Sequence, residues 1–173
     1  MKILYMNKLL VIVSLYLISG CTSAQSNLDE VLKEYNEGTV PYISASRLRE
    51  NLDHYLILDT RKKEEYDVSH IPGAIWVSEN MNEEIFAFAK ANKGTPIVVY
   101  CSVGVRSENF GEQLQEKGFS NVKNLYGSIF AWKDACYNVY DQKENPTDNV
   151  HVFSDAWSSY LKTGIKITTP LYE

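Results

Sequence analysis

At 173 residues the chain is long enough for one domain with a sizeable core plus appendages, and short for two typical domains. Its 22 acidic against 17 basic residues give a formal charge of -5 with no basic stripe, which argues against nucleic acid as a partner. Three cysteines and three widely spaced histidines, His54, His70 and His151, make neither a disulfide framework nor a zinc spacing, so no metal is expected.

The chain opens with Lys2 and Lys8, an apolar run over 9–18 broken by Ser14 and Tyr16, and Ser19-Gly20-Cys21. This order of basic start, short apolar centre and small-residue exit reads as a secretory signal, and the run is too short to span a bilayer. Ile18-Ser19-Gly20-Cys21 resembles a bacterial lipobox. That implies removal of residues 1–20, lipid on Cys21, and a mature chain anchored to a membrane of the bacterial cell envelope, facing outside the cytoplasm. The alternative is a buried terminal strand or helix. Cleavage takes two lysines and no acid, so 15 basic against 22 acidic residues leave a charge of -7, and Cys101 and Cys136 remain as thiols.

Residues 22–27 are small and polar and read as a disordered tether. Leu28, Val31, Leu32 and Tyr35 stand at helical spacing, with Asn27 as an N-cap and Gly38 as the stop, so 21–39 is tether plus short helix. Ser44 caps a helix carrying Leu48 and Leu52. The apolar run 55–58 ends at Asp59 and reads as a central parallel strand with an acid at its carboxyl end. Ser69-His70-Ile71-Pro72-Gly73-Ala74 demands a turn before a strand at Ile75-Trp76-Val77. A helix with Ile85, Phe86, Phe88 and Ala89 on its face follows over 83–91, closed by Asn92-Lys93-Gly94.

Residues 97–100 are β-branched or aromatic and read as a buried strand, and 108–117 as a helix with Phe110 and Leu114 inward and Phe119 beyond its end. A short strand at 122–125 and a packing helix at 127–135 with Ile129, Phe130, Ala131 and Trp132 come next. Cys136, after Trp132, reads as a core thiol, with a resolving thiol as the alternative. The polar run 141–149 with Pro146 reads as an exposed linker. Residues 150–153 read as a strand, and Ser154 as the cap of a helix with Trp157, Tyr160 and Leu161 that Gly164 stops. This tail is expected to pack back on the domain, the alternative being a membrane-surface or partner-binding helix.

Cys101 thus sits where a strand ends and a loop turns into a helix. Ligands gather at such ends in α/β sheets, and successive N–H groups leading into a helix make an anion-holding concavity. The N–H groups of Ser102, Val103, Gly104, Val105, Arg106 and Ser107 can cradle a terminal sulfur or an anion, Gly104 lets the loop curl, and Arg106 adds fixed positive charge. A thiol there ionises readily, and the thiolate is the nucleophile. The alternative for Cys101 is a buried, inert thiol.

Cys101-Ser102-Val103-Gly104-Val105-Arg106-Ser107 after Val98-Val99-Tyr100, with Leu58-Asp59-Thr60-Arg61 and His70-Ile71-Pro72-Gly73-Ala74 upstream and Gly127-Ser128-Ile129-Phe130-Ala131-Trp132 downstream, resembles a rhodanese domain over 41–135. The resemblance implies an α/β fold, a mostly parallel central sheet flanked by helices on both faces, with Val40-Pro41-Tyr42-Ile43 as the opening strand, the domain at 40–137 and an extension at 138–173. It implies a sulfurtransferase whose Cys101 takes a sulfane sulfur from thiosulfate or a similar small donor and passes the persulfide to a thiol, cyanide or a protein acceptor, without a cofactor. The membrane would be met only through the N-terminal lipid.

In that family the position of Asp59 holds neighbouring loops, and for this chain a loop-holding and a catalytic carboxylate weigh equally. Arg61 reads as its ion-pair partner or that of Glu65, the alternative being a cation that helps attract an anionic substrate. In the family motif the position of His70 supports the turn, a general base being the alternative here, and Ser69 replaces the family's usual glycine. Two rivals stand beside sulfur transfer: a non-enzymatic persulfide carrier or protein-binding module, and a phosphatase or arsenate reductase. The latter use Cys-x5-Arg loops, one residue longer than the four that separate Cys101 from Arg106.

Overall fold

The computed structural model describes residues 22–77 and 93–168. The expectations of a signal peptide at 1–20, of lipid on Cys21 and of a helix at 83–91 fall outside the described residues.

Burial on both faces builds the sheet. Strand β4 (Ile97–Tyr100) is buried on both faces: Val98 and Tyr100 point into one apolar cluster, Ile97 and Val99 into another. It lies at the centre of a five-stranded sheet ordered β1 (Tyr42–Ile43), β5 (Val122–Leu125), β4, β2 (Leu56–Asp59), β3 (Ile75–Trp76), with every pair parallel. Register sets Asp59 opposite Tyr100, so both strands deliver their next residues to one carboxyl-terminal rim. Helix α4 (Arg106–Glu116) covers one face through Phe110 and Leu114. Helices α2 (Ala45–Arg49) and α5 (Ser128–Asp134) cover the other through Leu48, Ile129, Phe130 and Trp132, and Ser44 caps α2 by accepting the Arg47 N–H at 3.2 Å. Between β2 and β3 lies α3 (Lys63–Val68).

Four expectations need correction. Helix α1 (Thr22–Tyr35) runs through the segment read as a tether and past the Asn27 cap. Once Val31 and Leu32 are buried against the domain, adding turns to the anchored helix costs little. The linker at 141–149 is instead a hairpin of β6 (Val139–Tyr140) and β7 (Pro146–Thr147), because Asp141 accepts the N–H groups of Lys143 and Asn145 at 2.8 and 2.9 Å and closes the loop. The tail helix after Ser154 is replaced by successive turns and a short 3₁₀ segment at Ser158–Tyr160. Its N–H groups bond three residues back, and the Ser158 hydroxyl donates to the Asp155 carbonyl, competing with a helical ladder. The tail does pack on the domain: Val150, Val152 and Leu161 are fully buried with Trp132. Strand β8 (Asn149–His151) pairs in parallel with β9 (Ile165–Ile167), a strand the sequence reading did not anticipate.

The fourth correction is Cys136, which is exposed. Ala135 caps α5, and Cys136 follows at φ +62°, its N–H bonded to the Lys133 carbonyl while the Tyr137 N–H bonds to that of Trp132. This is a Schellman stop, with the Trp132 and Tyr137 rings in contact at 4.9 Å, and it turns the thiol away from the core.

Candidate active site

The loop 101–107 is held from several sides. The Cys101 N–H donates to Ser128 Oγ at 3.0 Å, and the carbonyls of Cys101 and Ser102 accept two N–H groups of the first turn of α5, those of Ile129 and Phe130. Gly104 has φ +119°, and a Cβ there would stand 3.2 Å from Leu32 of α1, so only glycine lets the loop curl under that helix. Its carbonyl accepts the side-chain amides of Asn36 and Asn124 at 2.9 and 2.8 Å. The fold therefore fixes the loop before any ligand binds.

Within it the Cys101 side chain is 1% exposed, and the Gly104 N–H donates to its Sγ at 3.2 Å. Burial pushes the thiol pKa up, but the Arg106 charge, the Ser107 N–H and hydroxyl, and the Gly104 N–H outweigh it, and the net shift is downward. Arg106 is itself clamped: Nη1 donates to Glu65 Oε2 at 2.8 Å, Nη2 to Glu65 Oε1 at 2.9 Å and to Ser102 Oγ at 3.0 Å. Ser102 Oγ donates to Glu65 Oε1 at 3.1 Å, closing a triangle. Burial raises the Glu65 pKa, yet Arg106 and Arg61 hold it below the usual carboxylate range. Glu65 thus belongs to the site as the partner of Arg106, rather than of Arg61 as one sequence reading had it.

Asp59 and Arg61 pair with each other instead, both fully buried. Arg61 Nη2 lies 2.6 Å from Asp59 Oδ2, Nε 3.0 Å from Oδ1, and Nη2 also donates to the Ser69 carbonyl at 2.6 Å. The pair ties the end of β2 to the turn before β3. His70 lies in that turn, stacked on Tyr66 with centroids 4.0 Å apart, its ring nitrogens at 3.2 Å from the Tyr66 carbonyl and from Glu144. Its backbone pairs with Tyr140 of the hairpin. These contacts commit Asp59, Arg61 and His70 to fixing loops.

A cavity of about 150 Å³ opens over the thiol. Cys101, Val103, Val105 and Arg106 line it from the loop, and Phe153 and Trp157 close it from the C-terminal tail. The Phe153 ring covers the Arg106 guanidinium at 4.7 Å. Sequence reasoning missed Glu65 in this role and both aromatics, since nothing local to residues 153–157 signals a wall for a nucleophile more than 50 residues upstream. Among the described residues no three His, Cys, Asp or Glu side chains gather as metal ligands.

A family model described as rhodanese-like domain matches residues 44–135. Among curated proteins, tRNA uridine(34) hydroxylase of Bacillus licheniformis is 30% identical over 125 residues, covering 62% of this chain and 38% of that protein. The hydroxylase of the same name from Streptococcus pyogenes serotype M12 is 31% identical over 132 residues, covering 66% and 40%. The chain therefore spans about two fifths of the length of these relatives. Among solved structures, thiosulfate sulfurtransferase of Pseudomonas aeruginosa superposes with a TM-score of 0.56 at 24% identity, over 68% of this chain and 23% of that one, a likeness of fold. A rhodanese-like domain of Anabaena sp. gives a TM-score of 0.51 at 26% identity, over 58% and 79%.

Proposed function

Because the chain belongs to the rhodanese-like domain family, we propose that it is a sulfurtransferase that carries a sulfane sulfur as a persulfide on Cys101. The observation that carries the reading is a thiol of lowered pKa, held by loop N–H groups and the Arg106 charge under an open cavity. The Cys101 thiolate attacks the outer sulfur of a donor such as thiosulfate. The new S–S bond takes its electron pair from the thiolate, and sulfite leaves with the pair of the broken bond. An acceptor thiolate or cyanide then attacks the terminal sulfur and returns Cys101 as thiolate, with no net oxidation. Backbone donors and Arg106 stabilise negative charge on sulfur in both steps.

The tRNA chemistry in the relatives' name is not extended to this chain, which spans two fifths of their length and has a formal charge of -5. The four-residue spacing between Cys101 and Arg106 favours sulfur over phosphate esters as substrate. The Ile18-Ser19-Gly20-Cys21 ending supports lipidation at Cys21 and a cell-envelope location, and Cys21→Ala is expected to release the protein or leave it misprocessed. A wild-type protein that stays in the cytoplasm with residues 1–20 intact excludes that location.

Intact mass spectrometry after thiosulfate treatment tests the reading: one added sulfur is expected on the wild type and none on Cys101→Ser. Phosphatase activity lost in Cys101→Ser without any sulfur addition would overturn it.

A further inference from the structure

The tail beyond residue 135 lies outside the family match, yet it supplies one wall of the Cys101 cavity. Phe153 is 40% exposed and has φ +65°, a backbone state that bulky residues avoid. It is the centre of a γ-turn in which the Ser154 N–H donates to the Val152 carbonyl at 2.7 Å. The Phe153 N–H is held by buried His151, whose Nδ1 accepts it at 3.0 Å. Val152 on one side of the turn is fully buried. An apolar ring is thus kept out of the core, in a strained turn fastened from both sides. Strain of this kind collects where a fold must aim a side chain.

What the ring faces indicates the ligand. With half-buried Trp157, Val103 and Val105 it makes the cavity over the thiol largely hydrocarbon. The one cation in that lining, Arg106, is committed to Glu65 and covered by the Phe153 ring. A multiply charged acceptor entering here loses water and meets a compensated cation. An apolar group loses nothing and gains dispersion contacts. A cavity on the order of 150 Å³ takes a group the size of benzene.

Resting on the sulfur-transfer reading above, we infer that Phe153 and Trp157 form an acceptor subsite that selects a small organic thiol bearing an apolar group of about one ring. The acceptor thiolate lies with its apolar group between the two aromatics and attacks the terminal sulfur of the Cys101 persulfide. A new S–S bond forms to the acceptor, the Cys101 S–S bond breaks, and its electron pair stays on Cys101 as thiolate.

The experiment loads the full chain with sulfur from thiosulfate, confirms the added mass, and follows single-turnover transfer to phenylmethanethiol and to mercaptosuccinate. Rates are normalised to each thiol's thiolate fraction. Wild type is expected to favour phenylmethanethiol by tenfold or more, the scale on which one or two buried methylenes discriminate, roughly 10 to 200-fold. Phe153→Ala and Trp157→Ala are expected to reduce that ratio severalfold each, and Phe153→Leu to retain most of it. A normalised wild-type ratio near one, or an unchanged ratio in both alanine variants, overturns the subsite. Failure of any donor to load Cys101 overturns the sulfur-transfer reading beneath it, and is distinguished from those outcomes by mass alone.

Discussion

Glu65 and Arg106 meet in a two-pronged ion pair, at 2.8 and 2.9 Å, with the carboxylate 1% and the guanidinium 22% exposed. The pair joins α3 to the first residue of α4 and holds the only cation in the loop where its charge lowers the Cys101 pKa. Glu65→Gln keeps the size, removes the charge and leaves Arg106 half-satisfied. Breaking a fully buried pair costs about 3 to 5 kcal/mol, and the partial exposure of Arg106 brings the expectation to roughly 2 to 3. Urea denaturation reads this directly, and an unchanged midpoint would show that the clamp contributes nothing. Arg106→Lys should stay well below wild-type activity at equal folded concentration, because a point charge cannot make the fork.

Asp59 and Arg61 form the deeper pair, and its chemistry is structural. Asp59→Asn strands a fully buried guanidinium and is expected to cost about 3 to 5 kcal/mol in denaturant. At matched folded concentration below the transition, sulfur loading should persist within a few-fold of wild type. Loading abolished in a folded Asp59→Asn protein would make the carboxylate catalytic after all.

Most of this architecture is legible in the residues because it is local. The strand from Val98 ends at Cys101 where the continuous apolar run ends, Ser44 stands three residues before the N–H it caps, and Arg61 finds a carboxylate two residues back. What is not legible depends on contacts set by the fold. Glu65 reaches Arg106 across 41 residues, and Phe153 reaches Cys101 across 52, through a tail whose turns are stabilised by Asp141, Ser158 and His151 rather than by any periodic pattern. Cys136 was misread for a related reason: helical spacing places it behind Trp132, but the Schellman stop ends that spacing one residue earlier.

That stop carries its own prediction. At φ +62° an L-residue is strained by roughly 1 to 2 kcal/mol, whereas glycine there is relaxed but costs about 0.5 to 1 in unfolded-chain entropy. Cys136→Gly is therefore expected to raise stability by roughly 0.5 to 1 kcal/mol, Cys136→Ser to change it little, and Cys136→Val to lower it. Thermal midpoints of the three variants decide this. Sulfur loading on Cys101 should be the same in all, and its loss in Cys136→Ser alone would assign the exposed thiol a part in the reaction.

Arg106 and the loop donors hold the Cys101 thiol below its ordinary range despite burial, so alkylation by iodoacetamide should rise with pH and level off earlier than for an unperturbed thiol. Burial works against the charge, and Arg106 with the Ser107 and Gly104 donors works for it, so removing the guanidinium must move the midpoint to higher pH. Arg106→Gln is expected to shift the alkylation profile alkaline by about one unit, tenfold in the ionisation constant, the size of one charge-assisted contact of roughly 1.5 kcal/mol. The same linkage acts on stability. The folded state binds the thiol proton less tightly than the unfolded chain, so the contribution of the thiolate is complete above the unfolded value, declines as pH falls through the window between the two, and is lost below the folded value. Wild type minus Cys101→Ala stability, measured in urea from acid to alkaline pH, should therefore grow with pH across that window. A difference that is flat or falls with pH, or an alkylation midpoint at the ordinary thiol value that Arg106→Gln leaves in place, would mean that the loop does not hold a thiolate.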